Sequence, residues 1–160
     1  MDERELDAVV AQYGQPLLRY CHHILCDYHE AQDAVQTTFL KAWEHWDSFQ
    51  PGGNRSAWLY RLAYTTCVDV IRRRKRLFFP APRPAADPDY IGPELRAALE
   101  ALTCQERALV FGRVMEERSY DELAEMYGMN AAALRKRYER ARKKLARLLT
   151  EQEGNDETGT

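Results

Sequence analysis

Apolar side chains near the start of the chain recur three or four positions apart, from Leu6 to Leu25. This spacing places them on one side of an α-helix and predicts an amphipathic helix whose apolar stripe faces a core. Gly14–Pro16 interrupts the stretch, and proline has no backbone N–H to continue the hydrogen-bond ladder. We therefore predict a kink or break in the first helix at this point.

Two further helices are predicted before the middle of the chain. Asp27 and Glu30 stand three residues apart, as in a capping box, and start a second helix. That helix ends at the loop DSFQPGGN, where one proline and two glycines exclude regular structure. A third helix begins near Arg55 and continues into the basic run RRRKR at residues 72–76. The buried stripe predicted for the second helix consists of Ala31, Ala34, Val35, Thr38, Phe39, Ala42, Trp43 and Trp46.

The helical periodicity stops at residues 77–92, LFFPAPRPAADPDYIG, which contain four prolines. Proline-rich segments favour extended conformations, so we predict a linker here between two helical domains, residues 1–76 and residues 93–150. No stretch of the sequence alternates like a β-strand. The predicted fold class is therefore all-α, with two small helical domains joined by a Pro-rich linker.

Helix start and stop signals in the second half of the chain predict where its helices begin and end. They are Pro93 in a first turn, capping boxes at Thr103 and Ser119, a left-handed end at Gly128 and an N-cap at Asn130. A short helix, a GMN turn and a long helix in this order match a helix-turn-helix motif. The face of the long helix expected to pack inward consists of Leu134, Tyr138, Ala141, Leu145 and Leu148.

Charge is distributed unevenly, although the formal net charge is only −2. Residues 1–50 hold three basic and nine acidic side chains, whereas residues 131–150 hold eight basic and one acidic. Residues 72–76 add five cations, and residues 151–160 carry four acidic groups and no large apolar one. This asymmetry indicates that part of the chain binds a polyanion, and it predicts a disordered acidic tail over the last ten residues.

The outward face of the long C-terminal helix has the chemistry that reads DNA. Arginine bonds bidentately to guanine, glutamate accepts from the cytosine amino group, and further cations hold phosphates. A merely solubilising charged surface is the plain alternative, but a one-sided run after a capped short helix favours nucleic acid. The mixture of aromatic and basic residues over 57–76 suits unstacked, single-stranded bases, although core packing explains Trp58 equally well.

Other function classes find less support in the sequence. The stretch CHHILCDYH would bring His22, Cys26 and His29 or Glu30 together only if the first helix continued past Asp27, which the capping pattern opposes. No nucleophile, base and orienting residue converge, so we expect no enzyme activity, no metal, no cofactor and no small-molecule substrate. The apolar runs are short and no signal peptide is apparent, which predicts a cytoplasmic protein without a membrane partner.

Two long segments resemble the conserved regions of bacterial sigma factors. EAQDAVQTTFLKAWEHWDSF together with SAWLYRLAYTTCVDVIRRRKR is similar to region two, and LTCQERALVFGRVMEERSYDELAEMYGMNAAALRKRYERARKKL is similar to region four. With only these regions and a short linker, the chain resembles the extracytoplasmic-function (ECF) group of the sigma-70 family. The resemblance implies a factor that directs core RNA polymerase to specific promoters and aids promoter melting at transcription initiation.

The resemblance also implies which residues bind each partner. Those expected to bind the β′ clamp coiled coil of core polymerase are Asp33, Gln36, Phe39 and Lys41. Those expected at the −10 element are Asn54, Arg55, Trp58, Arg61, Thr65, Arg72 and Arg73. Those expected at the −35 element are Asn130, Arg135, Lys136, Glu139, Arg140 and Lys143. Region four also implies docking on the β flap, and two loosely linked domains would suit an inhibitory anti-sigma factor.

A stand-alone helix-turn-helix regulator, or a degenerate sigma-like protein, is the alternative function. A plain regulator needs neither the face of Asp33 and Gln36 nor an aromatic and basic third helix. The run AAALRKR after Asn130 also departs from the GTVKSR that is frequent in the family. We therefore expect a −35 preference that differs from the common one.

Overall fold

The described part of the chain is built from α-helices. A computed structural model describes residues 1–49, 52–77 and 91–158, with side chains as far as Gly154. These ranges contain no strand, which confirms the all-α fold class. In these ranges a turn of 3-10 helix at Trp46–Ser48 and a π-helix at Phe111–Met115 accompany seven α-helices. These are α1 (Glu3–Leu25), α2 (Tyr28–Glu44), α3 (Arg55–Leu77), α4 (Pro93–Glu100), α5 (Cys104–Val110), α6 (Tyr120–Tyr127) and α7 (Ala131–Thr158).

The chain divides into two compact units, residues 1–88 and 89–160. The first unit contains α1 to α3 and the second contains α4 to α7. Of the linker predicted at 77–92, residues 78–90 lie outside the described ranges.

The first unit packs α1, α2 and α3 around a shared core. Leu17 of α1, Ala34 of α2 and Leu59 of α3 are almost fully buried, because each helix turns one apolar stripe inward. Tyr20 and Tyr60 meet edge to face at the centre, with ring centroids 4.9 Å apart. This arrangement leaves the opposite side of each helix on the surface.

α1 continues through Pro16, so a break in the first helix at this point is wrong, whereas a kink stays a prediction. A proline inside a helix removes one backbone hydrogen bond and costs about 3 kcal/mol. The residues that follow it, Leu17 and Tyr20, are fully buried. Tertiary packing therefore outweighs the local preference of Pro16 to end a helix. α1 ends instead at Cys26, which has a left-handed backbone with φ of 56°.

Capping side chains start four helices at the residues predicted for them. Each accepts a hydrogen bond of 2.7 to 3.2 Å from a backbone N–H two or three positions later, and the four are Asp27, Thr103, Ser119 and Asn130. Gly128 ends α6 with φ of 62°, a conformation that glycine adopts without strain. The short α6, this turn and α7 form the predicted helix-turn-helix.

The second unit packs α4, α5 and α6 against α7. α7 buries Leu134, Tyr138 and Ala141, whereas Leu145 and Leu148 are only half-buried. The π-helix and α6 approach closely at Gly112, where an added Cβ would lie 2.9 Å from Cδ2 of Leu123. Any larger residue at this position would therefore force the buried side chain of Leu123 to shift.

The structure assigns helix to most of the segment for which the sequence predicts an acidic disordered tail. α7 runs as far as Thr158. Between residues 131 and 158 there is no proline and a single glycine, Gly154, so nothing forces the helix to end earlier. Arg147 and Glu151, one helical turn apart, form an ion pair of 3.8 Å where the predicted tail begins.

Gly112→Ala is expected to lower the free energy of unfolding of the second unit by about 1–2 kcal/mol, because the new methyl group overpacks the site beside buried Leu123. Gly14→Ala is the matched control, since the space around Gly14 in α1 is open. That change should stabilise the first unit by about 0.5–1 kcal/mol. Urea unfolding of Gly112→Ala would be followed by the methyl NMR signals of Leu123. Urea unfolding of Gly14→Ala would be followed by tryptophan fluorescence. A stabilised Gly112→Ala protein would contradict the packing argument.

Candidate functional site

An apolar groove of about 580 Å³ lies on the first unit, between the first half of α1 and the second half of α2. Three large apolar side chains are exposed in it: Val10 by 41%, Leu40 by 63% and Trp43 by 40%. Clustered apolar exposure of this kind indicates a surface that another molecule covers. The residues that line the groove are Glu3, Leu6, Val10, Gln36, Phe39, Leu40 and Trp43.

Three of the four residues expected to bind core polymerase lie at this groove or beside it. Asp33 and Gln36 are exposed on the same side of α2, one helical turn apart. Phe39 is half-buried, because it packs against the core as well as lining the groove. Lys41 lies elsewhere: its Nζ donates a 3.0 Å hydrogen bond to Oγ1 of Thr66 on α3. The structure therefore separates Lys41 from the other three.

Leu40 and Trp43 are groove residues that the sequence interpretation missed. Trp43 was expected in the buried stripe of α2, but it lies at the edge of that stripe and is partly exposed. Leu40 follows Gln36 by four positions, so it shares the exposed side of the helix. An apolar residue on an otherwise polar face was the signal available in the sequence.

Four of the residues expected at the −10 element share one side of α3. Trp58, Arg61 and Thr65 follow one another at helical spacing, and Arg72 continues the same side two turns later. Arg61, Thr65, Arg72 and Arg73 are exposed. The hydroxyl of Thr65 donates to the backbone carbonyl of Leu62 at 3.0 Å.

The N-terminus of α3 is tied to an aromatic cluster. Asn54 caps the helix, because its Oδ1 accepts a 3.1 Å hydrogen bond from the backbone N–H of Ala57. The Trp58 ring lies 5.9 Å from Trp46 and 5.4 Å from Phe49, centroid to centroid. Arg55 stands over the Trp46 ring with its Cζ 4.8 Å from the centroid. Trp58 is half-buried, so it serves core packing and also borders the surface.

The basic run at the end of α3 divides into two kinds of side chain. Arg74 points inward: its Nη2 pairs with the Glu30 carboxylate and donates a 2.9 Å hydrogen bond to the carbonyl of Leu25. It thereby joins the end of α3 to the end of α1 and the start of α2. The other four members of the run are exposed, namely Arg72, Arg73, Lys75 and Arg76.

The residues expected at the −35 element lie at the start of α7 and along its outer side. Asn130 serves as the N-cap, with Oδ1 2.7 Å from the backbone N of Ala132. Glu139 is half-buried and accepts a 3.0 Å hydrogen bond from Arg142. That bond, together with the carboxylate charge, raises the pKa of the Arg142 guanidinium. The exposed members of the set are Arg135, Lys136, Arg140 and Lys143.

A second groove, of about 660 Å³, opens on the second unit where α6 and α7 begin. Three cations and one carboxylate line it, so its charge is predominantly positive. The lining residues are Arg113, Ser119, Tyr120, Asp121, Ala131, Ala132, Arg135 and Lys136. The start of the outward face of α7 thus forms one wall of this groove.

The histidine and cysteine stretch that suggested a metal site is split between two helices. His22 is buried near the end of α1, with its ring edge to face against Tyr28 at 5.8 Å. Across residues 1–49, 52–77 and 91–158, no three His, Cys, Asp or Glu side chains lie close enough to hold a metal ion. Within the same ranges, no helix is long and apolar enough to cross a membrane.

Both units match regions that define one protein family. Residues 9–77 match Sigma-70 region 2, and residues 93–145 match Sigma-70 region 4. The ECF RNA polymerase sigma factor SigE of Mycolicibacterium smegmatis is 30% identical over 153 residues, 87% of this chain and 59% of SigE. The chain therefore spans less than two thirds of the length of that relative.

A second relative and a solved structure agree with this assignment. The ECF RNA polymerase sigma factor EcfG of Rhodopseudomonas palustris is 32% identical over 128 residues, 74% of this chain and 71% of EcfG. The structure of CnrH in complex with the cytosolic domain of CnrY superposes with a TM-score of 0.74 at 26% identity, covering 94% of this chain and 90% of CnrH. The chain belongs to the ECF group of the sigma-70 family.

Proposed function

We propose that this chain is an RNA polymerase sigma factor, which directs core polymerase to specific promoters and aids promoter melting at initiation. Family membership supports the proposal, and the exposed apolar groove beside Asp33 and Gln36 is the observation that carries it. A stand-alone DNA-binding regulator has no use for such a surface on the unit without the helix-turn-helix. The chain itself then acts by binding, and the polymerase supplies the chemistry of RNA synthesis.

The β′ clamp coiled coil of core polymerase is the proposed occupant of the groove. An amphipathic helix binds a groove through apolar anchors, and Val10, Leu40 and Trp43 offer such anchors within one small surface. Asp33 and Gln36, exposed on the neighbouring turn of α2, would fix the register of the helix through hydrogen bonds. The acidic charge of residues 1–50 suits a protein partner, because it would repel DNA.

DNA is proposed to bind the basic sides of α3 and α7. The exposed start of α7 would enter the major groove at the −35 element, as the second helix of a helix-turn-helix does. The side of α3 that carries Arg61, Thr65 and Arg72, together with the aromatic cluster at its start, would contact the −10 element. Aromatic rings suit this place because melted bases need a surface on which to stack. The second unit is also proposed to dock on the β flap.

An inhibitory protein is a further proposed partner. CnrH, which this chain resembles in fold and at 26% identity, was solved with the cytosolic domain of a second protein, CnrY. An anti-sigma factor that covered the apolar groove of the first unit would compete directly with core polymerase. Such competition requires no change in the fold of either unit.

The deciding experiment is a pull-down of purified core polymerase, followed by run-off transcription from promoters that the reconstituted holoenzyme selects out of random DNA. A sigma factor must both bind core and start transcripts at the selected sites. Binding to DNA without any retention of core would reject the proposal in favour of a stand-alone regulator. Binding to core without transcripts would instead favour a degenerate sigma-like protein.

Asp33→Ala combined with Gln36→Ala is expected to weaken core binding about fivefold or more, because the two lost hydrogen-bonding groups should together contribute about 1 kcal/mol or more. Leu40→Ser should have an effect of similar size by removing an apolar anchor. Gln15→Ala, an exposed change on the opposite side of α1, is the control. Affinity for core would be measured by fluorescence anisotropy of labelled protein, and equal values for all variants would place the interface elsewhere.

Lys41→Ala is expected to act on stability rather than on core binding. Removing the hydrogen bond from Lys41 to Thr66 should lower the free energy of unfolding of the first unit by about 1 kcal/mol. Gln36→Ala, exposed on the same helix, should stay within about 0.5 kcal/mol of the parent. Urea unfolding followed by tryptophan fluorescence gives both values. A Lys41→Ala protein of unchanged stability but reduced core affinity would restore Lys41 to the interface.

Arg135→Ala and Arg140→Ala are each expected to weaken holoenzyme binding to the selected −35 DNA while leaving core binding unchanged. A lost bidentate contact to guanine should cost about 1–3 kcal/mol of base discrimination. A lost phosphate contact should instead reduce the slope of log affinity against log salt by about 0.9. Arg4→Ala, an exposed cation at the start of α1, is the control. Loss of core affinity in either arginine variant would contradict the division of roles.

A further inference from the structure

Tyr120, the first residue of α6, lies beneath two guanidinium groups. The Cζ of Arg113, from the preceding π-helix, is 4.4 Å from the centre of the Tyr120 ring. The Cζ of Arg135, from the second turn of α7, is 5.0 Å from the same centre. Both distances fall within the range in which a cation is attracted to an aromatic face. The ring thus connects the first helix of the helix-turn-helix to an exposed cation of the second.

The neighbours of the Tyr120 ring hold it in place. Its edge-to-face partner is Tyr138, at 6.2 Å between centroids, and Tyr138 is 9% exposed. Arg113 also stands over the Tyr138 ring at 5.6 Å. The backbone anchors Arg113, since its Nη1 donates a 2.7 Å hydrogen bond to the carbonyl of Arg118. Tyr120 therefore forms a fixed surface, and Arg135 is the exposed side chain that rests on it.

We propose that Tyr120 is a positioning residue for Arg135. Its ring holds the Arg135 guanidinium in one orientation at the wall of the basic groove before DNA arrives. Arginine side chains lose considerable rotamer freedom on binding, so a guanidinium that is ordered in advance binds more tightly. This inference rests on the proposed function, because it takes −35 DNA as the ligand that Arg135 contacts.

The chemistry of the contact makes the proposal specific. A planar guanidinium stacks on an aromatic face, whereas the ammonium of lysine is a compact, strongly hydrated charge. The ring, and not its hydroxyl group, carries the interaction. Tyr120→Phe should therefore preserve the positioning of Arg135, and Tyr120→Leu should remove it while keeping an apolar side chain at this position.

The contact itself can be tested on the full-length chain without DNA. The Arg135 side-chain protons should show an upfield ring-current shift in NMR spectra of the parent protein and of Tyr120→Phe. The shift should disappear in Tyr120→Leu, while well-dispersed methyl signals of buried Leu123 and Met126 report an intact unit. An Arg135 shift that persists in an intact Tyr120→Leu protein overturns the proposal.

The effect of the contact between Tyr120 and Arg135 on DNA affinity can be tested with a double-mutant cycle on reconstituted holoenzyme and the selected −35 DNA. Tyr120→Leu should weaken binding about two- to fivefold, the range of an exposed cation–π contact. It should have no further effect when combined with Arg135→Ala. The control pair is Tyr120→Leu with Arg140→Ala, whose effects should multiply, because Arg140 lies about 7.5 Å further along α7. Tyr120→Phe should bind like the parent.

The possible results separate this inference from the proposed function. Independent effects of Tyr120→Leu and Arg135→Ala on DNA affinity would overturn the positioning role and leave the −35 assignment of α7 intact. An Arg135→Ala holoenzyme that binds DNA like the parent would overturn both the positioning role and the −35 contact proposed for Arg135, even where the NMR shift shows the stacking contact. The proposal is supported if the effects on DNA affinity are coupled for residues 120 and 135 but not for residues 120 and 140, and if Tyr120→Phe binds like the parent.

Discussion

Burial of one apolar stripe on each helix is the constraint that sets everything else on the surface of this protein. In α7 the buried residues Leu134, Tyr138 and Ala141 recur every three or four positions. Successive residues are rotated by about 100° around a helix axis, so burying these three leaves Arg135 and Arg140 facing solvent. The same relation holds in α3. The charged faces proposed for DNA are thus a consequence of how small helical units build their cores.

The first unit departs from that constraint at the groove between α1 and α2. Val10, Leu40 and Trp43 remain exposed although packing elsewhere in the unit is complete enough to bury Leu17, Tyr20 and Leu59 entirely. While exposed to water, these side chains do not contribute the stabilisation that their burial would bring. A partner that covers them recovers it. Asp33 and Gln36 lie next to these apolar side chains. In an interface of this kind the apolar groups contribute affinity and the polar groups contribute specificity.

The sequence predicted those features that depend on neighbouring residues alone. The caps at Asp27 and Ser119 and the left-handed turn at Gly128 each involve a few consecutive residues, and each is present. Features that depend on distant contacts were predicted less well. Pro16 lies inside a helix because later residues are buried, and Lys41 turns toward Thr66, twenty-five positions away. The stacking of Arg135 on Tyr120 likewise joins two helices, and no local sequence pattern predicts it.

The same distinction governs how the charge of the chain should be interpreted. Basic residues that look equivalent in sequence differ in how their charge is engaged: Arg74 pairs with Glu30 in the first unit, and Arg142 pairs with Glu139 on α7. A cation that already has a carboxylate partner gains less from a phosphate, because it must exchange one opposite charge for another. The number of basic side chains therefore overstates the number of phosphates that the protein can neutralise. The salt dependence of binding reports the smaller number, since only cations that displace counterions contribute to the slope.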